Sequence, residues 1–445
     1  MNLKSGALSP LWLALLLTST ATGAVAAPRH RQQPPVAAVS QAEVEALKAQ
    51  IAALSARLDA AEASLRTARD AADQSRAGLK TIASAVTAQQ QAVQATIDTL
   101  PKQIAASVTA ANAPLAWAAR TQIGSIVFAD VSAIDQTANG ARVAPSGVGL
   151  DVKRFYVSVD HRFNDVFSAD VTTDASYASS VNDVQVWIKK AYLQARLSDA
   201  LVLSAGSNSL PWAPYSESLY GLRFVEKTLI DRAGVGFTTD WGVHVAGRLA
   251  DGLIGYQVSV INGGTFKNPS RSRSVDVEGR VSLAWQGVNL GIGGYSGDLG
   301  KDQAGAGALH TATRFNAVAA YVQPAFRLGL EYFRTSDWTA VTTVAGDRSE
   351  GFAAFGAWRL QPKLTVFARY DAVRPNQITA PGKKDIYVNF GLDWAVDKQI
   401  DLALVYKHEK VEGGVFTGAS GAIGAATGLK VGAYDELGVW TQYKY

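Results

Sequence analysis

The sequence contains no cysteine. Disulfides, thiolate metal sites and thiol nucleophiles are therefore excluded. Histidine is nearly as scarce: His30, His161, His244, His310 and His408 are the whole set, and no two stand at a metal-ligand spacing. There is no Gly-x-Ser-x-Gly elbow and no phosphate-binding P-loop. No catalytic set, metal or cofactor is expected, and no nucleic-acid partner. Proline is sparse at 14 residues. Long apolar runs are missing too. The one short run, LWLALLL at 11–17, falls well below the roughly 20 residues that a helix needs to cross a bilayer. Any membrane span must then be built of strands, and in lipid only a closed barrel satisfies the backbone of strands.

What is present fits that conclusion. Of 445 residues, 48% are hydrophobic and only 18% charged, with 40 glycines and 10 Trp, 15 Tyr and 15 Phe. Residues 1–27 read as a cleaved secretory signal, with Lys4, the apolar core 11–17 and the small residues Ala24-Val25-Ala26-Ala27. Residues 28–40 are a Pro- and Gln-containing linker. From residue 41 apolar positions recur every three or four: Val44, Leu47, Ile51, Leu54, Leu58, then Ala61, Leu65, Ala68 and Ala72, and on to Leu79, Ile82, Val86, Val93 and Leu100. This heptad seam predicts a coiled coil over 41–113, disturbed or ended near Pro101. A self-associating trimer clamp and a grip on peptidoglycan are the two roles open to it.

After Arg120 the period changes to two. Sixteen strands are predicted, at 121–130, 148–161, 166–174, 184–197, 201–207, 241–249, 254–261, 275–285, 288–297, 312–322, 325–334, 351–360, 363–373, 385–396, 400–410 and 434–445. Tight turns at 162–165, 198–200, 250–253, 286–287, 323–324, 361–362 and 397–399 alternate with long segments at 131–147, 175–183, 208–240, 262–274, 298–311, 335–350, 374–384 and 411–433. Short turns on one side and long loops on the other mark an all-β transmembrane barrel of 16 antiparallel strands over 121–445, in an outer-membrane lipid bilayer, with its chain ends in the periplasm. The glycine-rich run 418–428 reads as a flexible surface loop.

Alternation assigns the two faces. If Leu437, Val439, Tyr443 and Tyr445 face lipid, then Glu436, Trp440 and Gln442 face the lumen. The same rule sends Arg154, Arg162, Arg196, Arg248, Arg280, Arg314, Arg327 and Arg369 inward, together with Asp160, Asp170, Asp276, Glu278, Glu331, Asp371, Asp393 and Asp401. A lipid-facing Arg or Lys at mid-depth would cost about 2–4 kcal/mol. Net charge offers no selectivity: 11 basic and 7 acidic residues precede position 121, which leaves 31 of each sign beyond it. A preference for anions must come from placement.

The segment 208–240 is too long and too apolar for a surface loop, carrying Trp212, Tyr215, Leu219, Tyr220, Leu222, Phe224, Val225, Leu229 and Ile230. It is predicted to fold into the lumen as a constriction, with a short helical turn at 216–220. Glu217, Arg223, Glu226, Lys227, Asp231 and Arg232 supply its charges, and Arg223, Lys227 and Arg232 are the candidates for touching an anionic solute. The pore-lining set is then Arg223, Lys227, Arg232, Glu217, Arg154, Arg196, Arg248 and Arg280.

Residues 187–264 carry a resemblance. Ile188-Lys189-Lys190-Ala191-Tyr192-Leu193, Leu203-Ser204-Ala205-Gly206 with Leu210-Pro211-Trp212 and Ser216-Glu217-Ser218, Phe224-Val225-Glu226-Lys227 with Asp231-Arg232, Trp241 to Gly247 and Tyr256 to Gly263 resemble the phosphate-selective porin O and P family of Gram-negative outer membranes. The terminal Tyr445 stands where bacterial outer-membrane barrels more often have Phe. The resemblance implies a sixteen-stranded, trimeric barrel that passes phosphate or similar small anions. The coiled coil resembles periplasmic extensions of some sugar porins and related trimeric diffusion channels. Three functions remain open at this level. They are a passive porin for small anions, a solute-specific channel for organic acids, sugars or peptides, and a structural barrel that anchors a periplasmic coiled coil.

Overall fold

The computed structural model describes residues 41–110, 117–178 and 183–445. The signal (1–27) and linker (28–40) expected from sequence lie outside the described residues, as do 111–116. The chain divides into two compact units after Ala110.

The first unit contains one helix, α1 (Gln41–Ala110), of 70 residues or about 105 Å at 1.5 Å per residue. It continues through Pro101 to Ala110, where the sequence predicts a disturbance or an end. A proline inside a helix costs about 3 kcal/mol, and a long run of good helix formers on its N-terminal side outweighs that. The heptad seam is uncovered along its length: Leu47, Leu54 and Leu65 are 61%, 63% and 68% exposed.

The second unit is a closed antiparallel barrel of sixteen strands. They are β1 (Thr121–Ala138), β2 (Ala141–Arg162), β3 (Phe167–Ala178), β4 (Asp183–Ser198), β5 (Leu201–Ser209), β6 (Thr239–Leu249), β7 (Ile254–Ile261), β8 (Asp276–Trp285), β9 (Val288–Gly297), β10 (Ala312–Val322), β11 (Phe326–Ser336), β12 (Arg348–Gln361), β13 (Leu364–Arg374), β14 (Lys384–Ala395) and β15 (Ile400–Glu412). A small hairpin follows, β16 (Val415–Gly418) with β17 (Gly421–Gly424), and then the closing strand β18 (Val431–Lys444). β18 pairs with β15 on one side and with β1 on the other, which leaves the sheet no edge.

The faces follow the alternation. On β18, Leu437, Val439 and Tyr443 point outward, whereas Glu436, Trp440 and Gln442 are buried inside. Near the short turns the outer face carries Trp285, Trp358, Trp394 and Tyr443, and Phe326 stacks on Trp358 at 5.7 Å. Such amphipathic rings suit the headgroup level of a bilayer.

Two connections differ from the sequence reading. The first long loop, expected over 131–147, does not exist as a loop. β1 and β2 run on as a hairpin and turn at Asn139-Gly140, both with positive φ (50° and 79°). Asn-Gly is the preferred pair for a type I′ turn. The polar run around it hid the strands. The glycine-rich run 418–428 is only in part a surface loop: β16 and β17 form over 415–418 and 421–424, with Phe416 and Ile423 paired and buried, while 426–428 are exposed and outside the strands.

Candidate functional site

The long connection between β5 and β6 folds into the lumen, as its apolar content requires. Asn208 pairs with Asp240 at its base. Beyond that pair the chain forms α2 (Ala213–Tyr220) and a single turn, α3 (Leu229–Arg232). Leu210, Trp212, Tyr220, Leu229 and Ile230 are at most 2% exposed. α2 ends at Gly221, whose φ of 76° puts it in the left-handed region. A side chain at Gly221 would also collide with Arg327, whose guanidinium donates to the Leu219 carbonyl at 3.0 Å.

The loop is fastened to the wall from β8 to β15. The Trp212 N–H donates to Glu278 at 3.0 Å, Ser216 Oγ donates to Glu331, and Arg369 donates to the Lys227 carbonyl at 2.5 Å. Arg314 donates to the Val235 carbonyl at 2.7 Å and pairs with Glu278 at 3.0 Å. The strongest anchor is Arg232. Its guanidinium lies 2.7 Å from Asp371, 2.6 Å from Asp385 and 3.1 Å from Glu409, and all four side chains are fully buried. Glu226 accepts from Tyr387 at 3.1 Å and pairs with Lys407 at 3.3 Å. Burial alone would raise the Glu226 pKa, but Lys407, the Lys227 N–H and Arg369 hold it down to about 2.

Arg232 therefore cannot touch a solute, contrary to the sequence expectation. Its three carboxylate partners claim its donors on the hidden side of the loop. Arg314 and Arg369 are buried and spent in the same way, as fasteners of the loop, and the half-exposed Arg327 holds it through the Leu219 carbonyl.

The opposite wall stays open. On it two β-bulges change what faces the pore. Phe128 pairs with Arg154 and Ala129 with Val152, so Lys153 is an extra residue. Thr172 pairs with Lys190 and Thr173 with Ile188, so Lys189 is another. A bulge lets two consecutive side chains leave the same face of a strand. Lys153 and Arg154 thus both point inward, and so do Lys189 and Lys190. Three of these four bases escaped the strict period-two rule. The readable signal was the pair itself, because without a bulge one of two adjacent bases would meet lipid.

The carboxylates on this wall lie beneath the bases. Lys153 pairs with Asp130 at 3.3 Å and Asp151 at 3.0 Å, yet its side chain is 37% exposed against 0% and 8% for theirs. Arg154 pairs with Asp174 at 2.9 Å, 16% against 0%. Lys189 donates to Tyr156 Oη at 3.1 Å and lies 4.3 Å from that ring's centre. Among the described residues Lys189, Lys190 and Lys267 make no ion pair. Across the gap stand Arg223, held by Glu217 at 2.6 Å and Asp231 at 3.7 Å, and Lys227, 3.5 Å from Asp231. Against the burial that would raise it, Lys227, Arg223, Arg154 and Lys189 together hold the Asp231 carboxyl below its ordinary range. Those four bases therefore converge on one place, around Asp231 between the loop and the open wall. Of the residues singled out by sequence, Arg154, Glu217, Arg223 and Lys227 meet there.

Arg196, Arg248 and Arg280 form a separate group. They line a cavity of about 490 Å³ on the short-turn side of the loop, with Tyr215 and Tyr256. Arg280 lies 4.1 Å from the centre of the Tyr215 ring and donates to the Pro211 carbonyl at 2.7 Å.

Lys267, just beyond β7, places its ammonium 3.8 Å from the centre of the Trp187 ring on the open wall. Enclosure there, then repulsion from Arg154 and from Lys227, push its pKa down to about 8. A lysine with a depressed pKa is charged below that value and neutral above it. The positive charge that this wall offers to the lumen is therefore expected to decline as pH rises from 7 to 9, and with it the permeability of chloride relative to potassium. In Lys267→Met that decline should vanish, as read from reversal potentials at each pH.

No protein-family profile matches the chain, and no curated protein is significantly similar to it in sequence. Solved structures are similar in fold. The anion-selective porin from Comamonas acidovorans aligns at 11% identity and a TM-score of 0.55, over 73% of this chain and 99% of that one. The outer-membrane channel DcaP of Acinetobacter baumannii aligns at 12% identity and a TM-score of 0.50, over 73% and 97%. OmpT of Vibrio cholerae gives 12% identity and 0.50 over the same shares. The barrel unit thus has the fold of Gram-negative outer-membrane porins.

Proposed function

We propose that the chain is an outer-membrane porin for passive diffusion of small hydrophilic solutes, with a preference for anions such as phosphate. One observation carries the reading: the solvent-facing side of the constriction is basic, because two bulges add Lys153 and Lys189 to Arg154 and Lys190 while the neighbouring carboxylates are buried. Close to a low-dielectric wall such charges act more strongly than in bulk water. A similar solved barrel is named anion-selective, which agrees with this reading. The test is the reversal potential of the reconstituted channel in a KCl gradient, repeated with phosphate as competitor. Chloride should permeate ahead of potassium and phosphate should reduce the chloride current. Preference for potassium would sink the proposal, and chloride preference indifferent to phosphate would restrict it to anions other than phosphate.

The second part of the proposal concerns α1. Its seam is apolar and uncovered over nearly the whole helix, and a heptad stripe of this kind is suited to burial against like helices. A parallel coiled coil of three copies in the periplasm fits a porin trimer. Deleting residues 41–110 is expected to convert a gel-stable trimer into a species that dissociates at lower temperature or detergent stress. An unchanged oligomer on native gels would count against the clamp.

A further inference from the structure

The hairpin β16–β17 is not needed to close the barrel, yet one of its faces is buried, while Val415, Thr417, Gly421 and Ala422 on the rest of it stay exposed. Phe416 and Ile423 are 6% and 0% exposed. Its tip reaches the constriction: the Ala419 N–H donates to the Arg232 carbonyl at 3.0 Å, and Ser420 Oγ donates to Glu409 at 2.7 Å. From the other side Gln136 of β1 donates to the Ala422 carbonyl at 2.8 Å. Residues 413–429 contain no charged side chain.

What the hairpin covers gives it a meaning. Behind it and the constriction loop lie Glu226, Asp371, Asp385, Glu409 and Glu436 against Arg232, Arg369 and Lys407, all buried. This sector is acidic by two charges, whereas the open wall of β2 and β4 presents bases to water. A barrel with 31 residues of each sign is thus divided into a basic side that solutes meet and an acidic side that they do not.

We infer that the hairpin β16–β17 is a neutral stopper which shuts the acidic side of the lumen off from the ion path, and so fixes the sign of the channel's selectivity. The inference rests on the anion-porin reading for its direction. Without the stopper, Glu409 loses its Ser420 partner and water and cations gain access to the acids along β13 to β15. An uncharged plug suits this role, because a charged one would itself join the pore.

The test replaces residues 415–424 by Gly-Ser-Gly in the full chain and reconstitutes it beside the wild type. Single-channel conductance is expected to rise by roughly half or more, and the chloride-to-potassium permeability ratio to fall by about threefold or more. Ser420→Asp is the second variant. It keeps the hairpin but sets a carboxylate against Glu409, and should move both quantities in the same direction by less. Unchanged conductance in both variants would overturn the stopper. A rise in conductance with an unchanged permeability ratio would overturn its role in selectivity, leaving a merely steric plug. If the wild type itself prefers potassium, the anion reading fails. The change between variant and wild type still reports on the hairpin separately.

Discussion

Replacing Lys189 and Lys190 together by glutamate is expected to shift the channel toward cations, with the chloride-to-potassium ratio falling about tenfold or more. The two residues sit side by side on the open wall because of the bulge at Lys189, and among the described residues neither has an ion-pair partner to absorb the change. Two reversals alter the local charge by four units. At about 6 Å each unit is worth roughly 0.7 kcal/mol in water and about 2.8 kcal/mol at an effective dielectric of 20. Even after screening over a Debye length of about 8–10 Å, the sum exceeds the 1.4 kcal/mol or so that corresponds to a factor of ten. The double glutamine variant should give a smaller shift in the same direction. Reversal potentials in a KCl gradient measure both. A double glutamate variant with the wild-type ratio would mean that ions take a path away from this wall.

Arg232→Leu is expected to lower stability by about 3–5 kcal/mol and to release the constriction loop. The substitution removes the one cation shared by Asp371, Asp385 and Glu409; Asp371 keeps Arg369 at 2.7 Å, but Asp385 and Glu409 are left buried around an apolar side chain. Those groups must then take up protons or draw in water, and either course detaches α3 from the wall. The readouts are loss of heat resistance on gels and a larger, noisier single-channel conductance. Arg232→Lys keeps the charge but cannot reach three partners at once, so it should fall between. A leucine variant with wild-type conductance and heat resistance would show that the loop is held by its apolar contacts alone.

The contrast between these two sites marks the limit of the sequence. Barrel class, strand number and the inward fold of 208–240 were legible, because period-two alternation and loop length are local properties. Away from the bulges of β2 and β4 the face of each strand was legible for the same reason, and β18 follows it residue by residue. The β1–β2 hairpin was missed although Asn139-Gly140 announces it, since its flanking strands are too polar to alternate visibly. Arg232 was misjudged for a different cause. In sequence it looks like Arg223 and Lys227, its neighbours in the loop. Its fate is set by carboxylates 139, 153 and 177 residues away, and no local pattern encodes such a meeting. The adjacent bases at 153–154 and 189–190 fall between these cases. Their pairing was visible, and the lipid-face cost of an unbulged pair was the argument that could have assigned them.

The two bulges have a consequence for how this pore can change. Elsewhere in a barrel strand, inserting or deleting one residue turns every following side chain to the other face and would send a lumen of charges into lipid. At a bulge the extra residue is already outside the ladder. Removing Lys153 or Lys189 would restore regular pairing and leave the rest of the strand facing as before. The charge of the pore wall can therefore be raised or lowered one lysine at a time, by a single-codon insertion or loss. The sheet, the lipid face and the anchored loop would keep their register throughout.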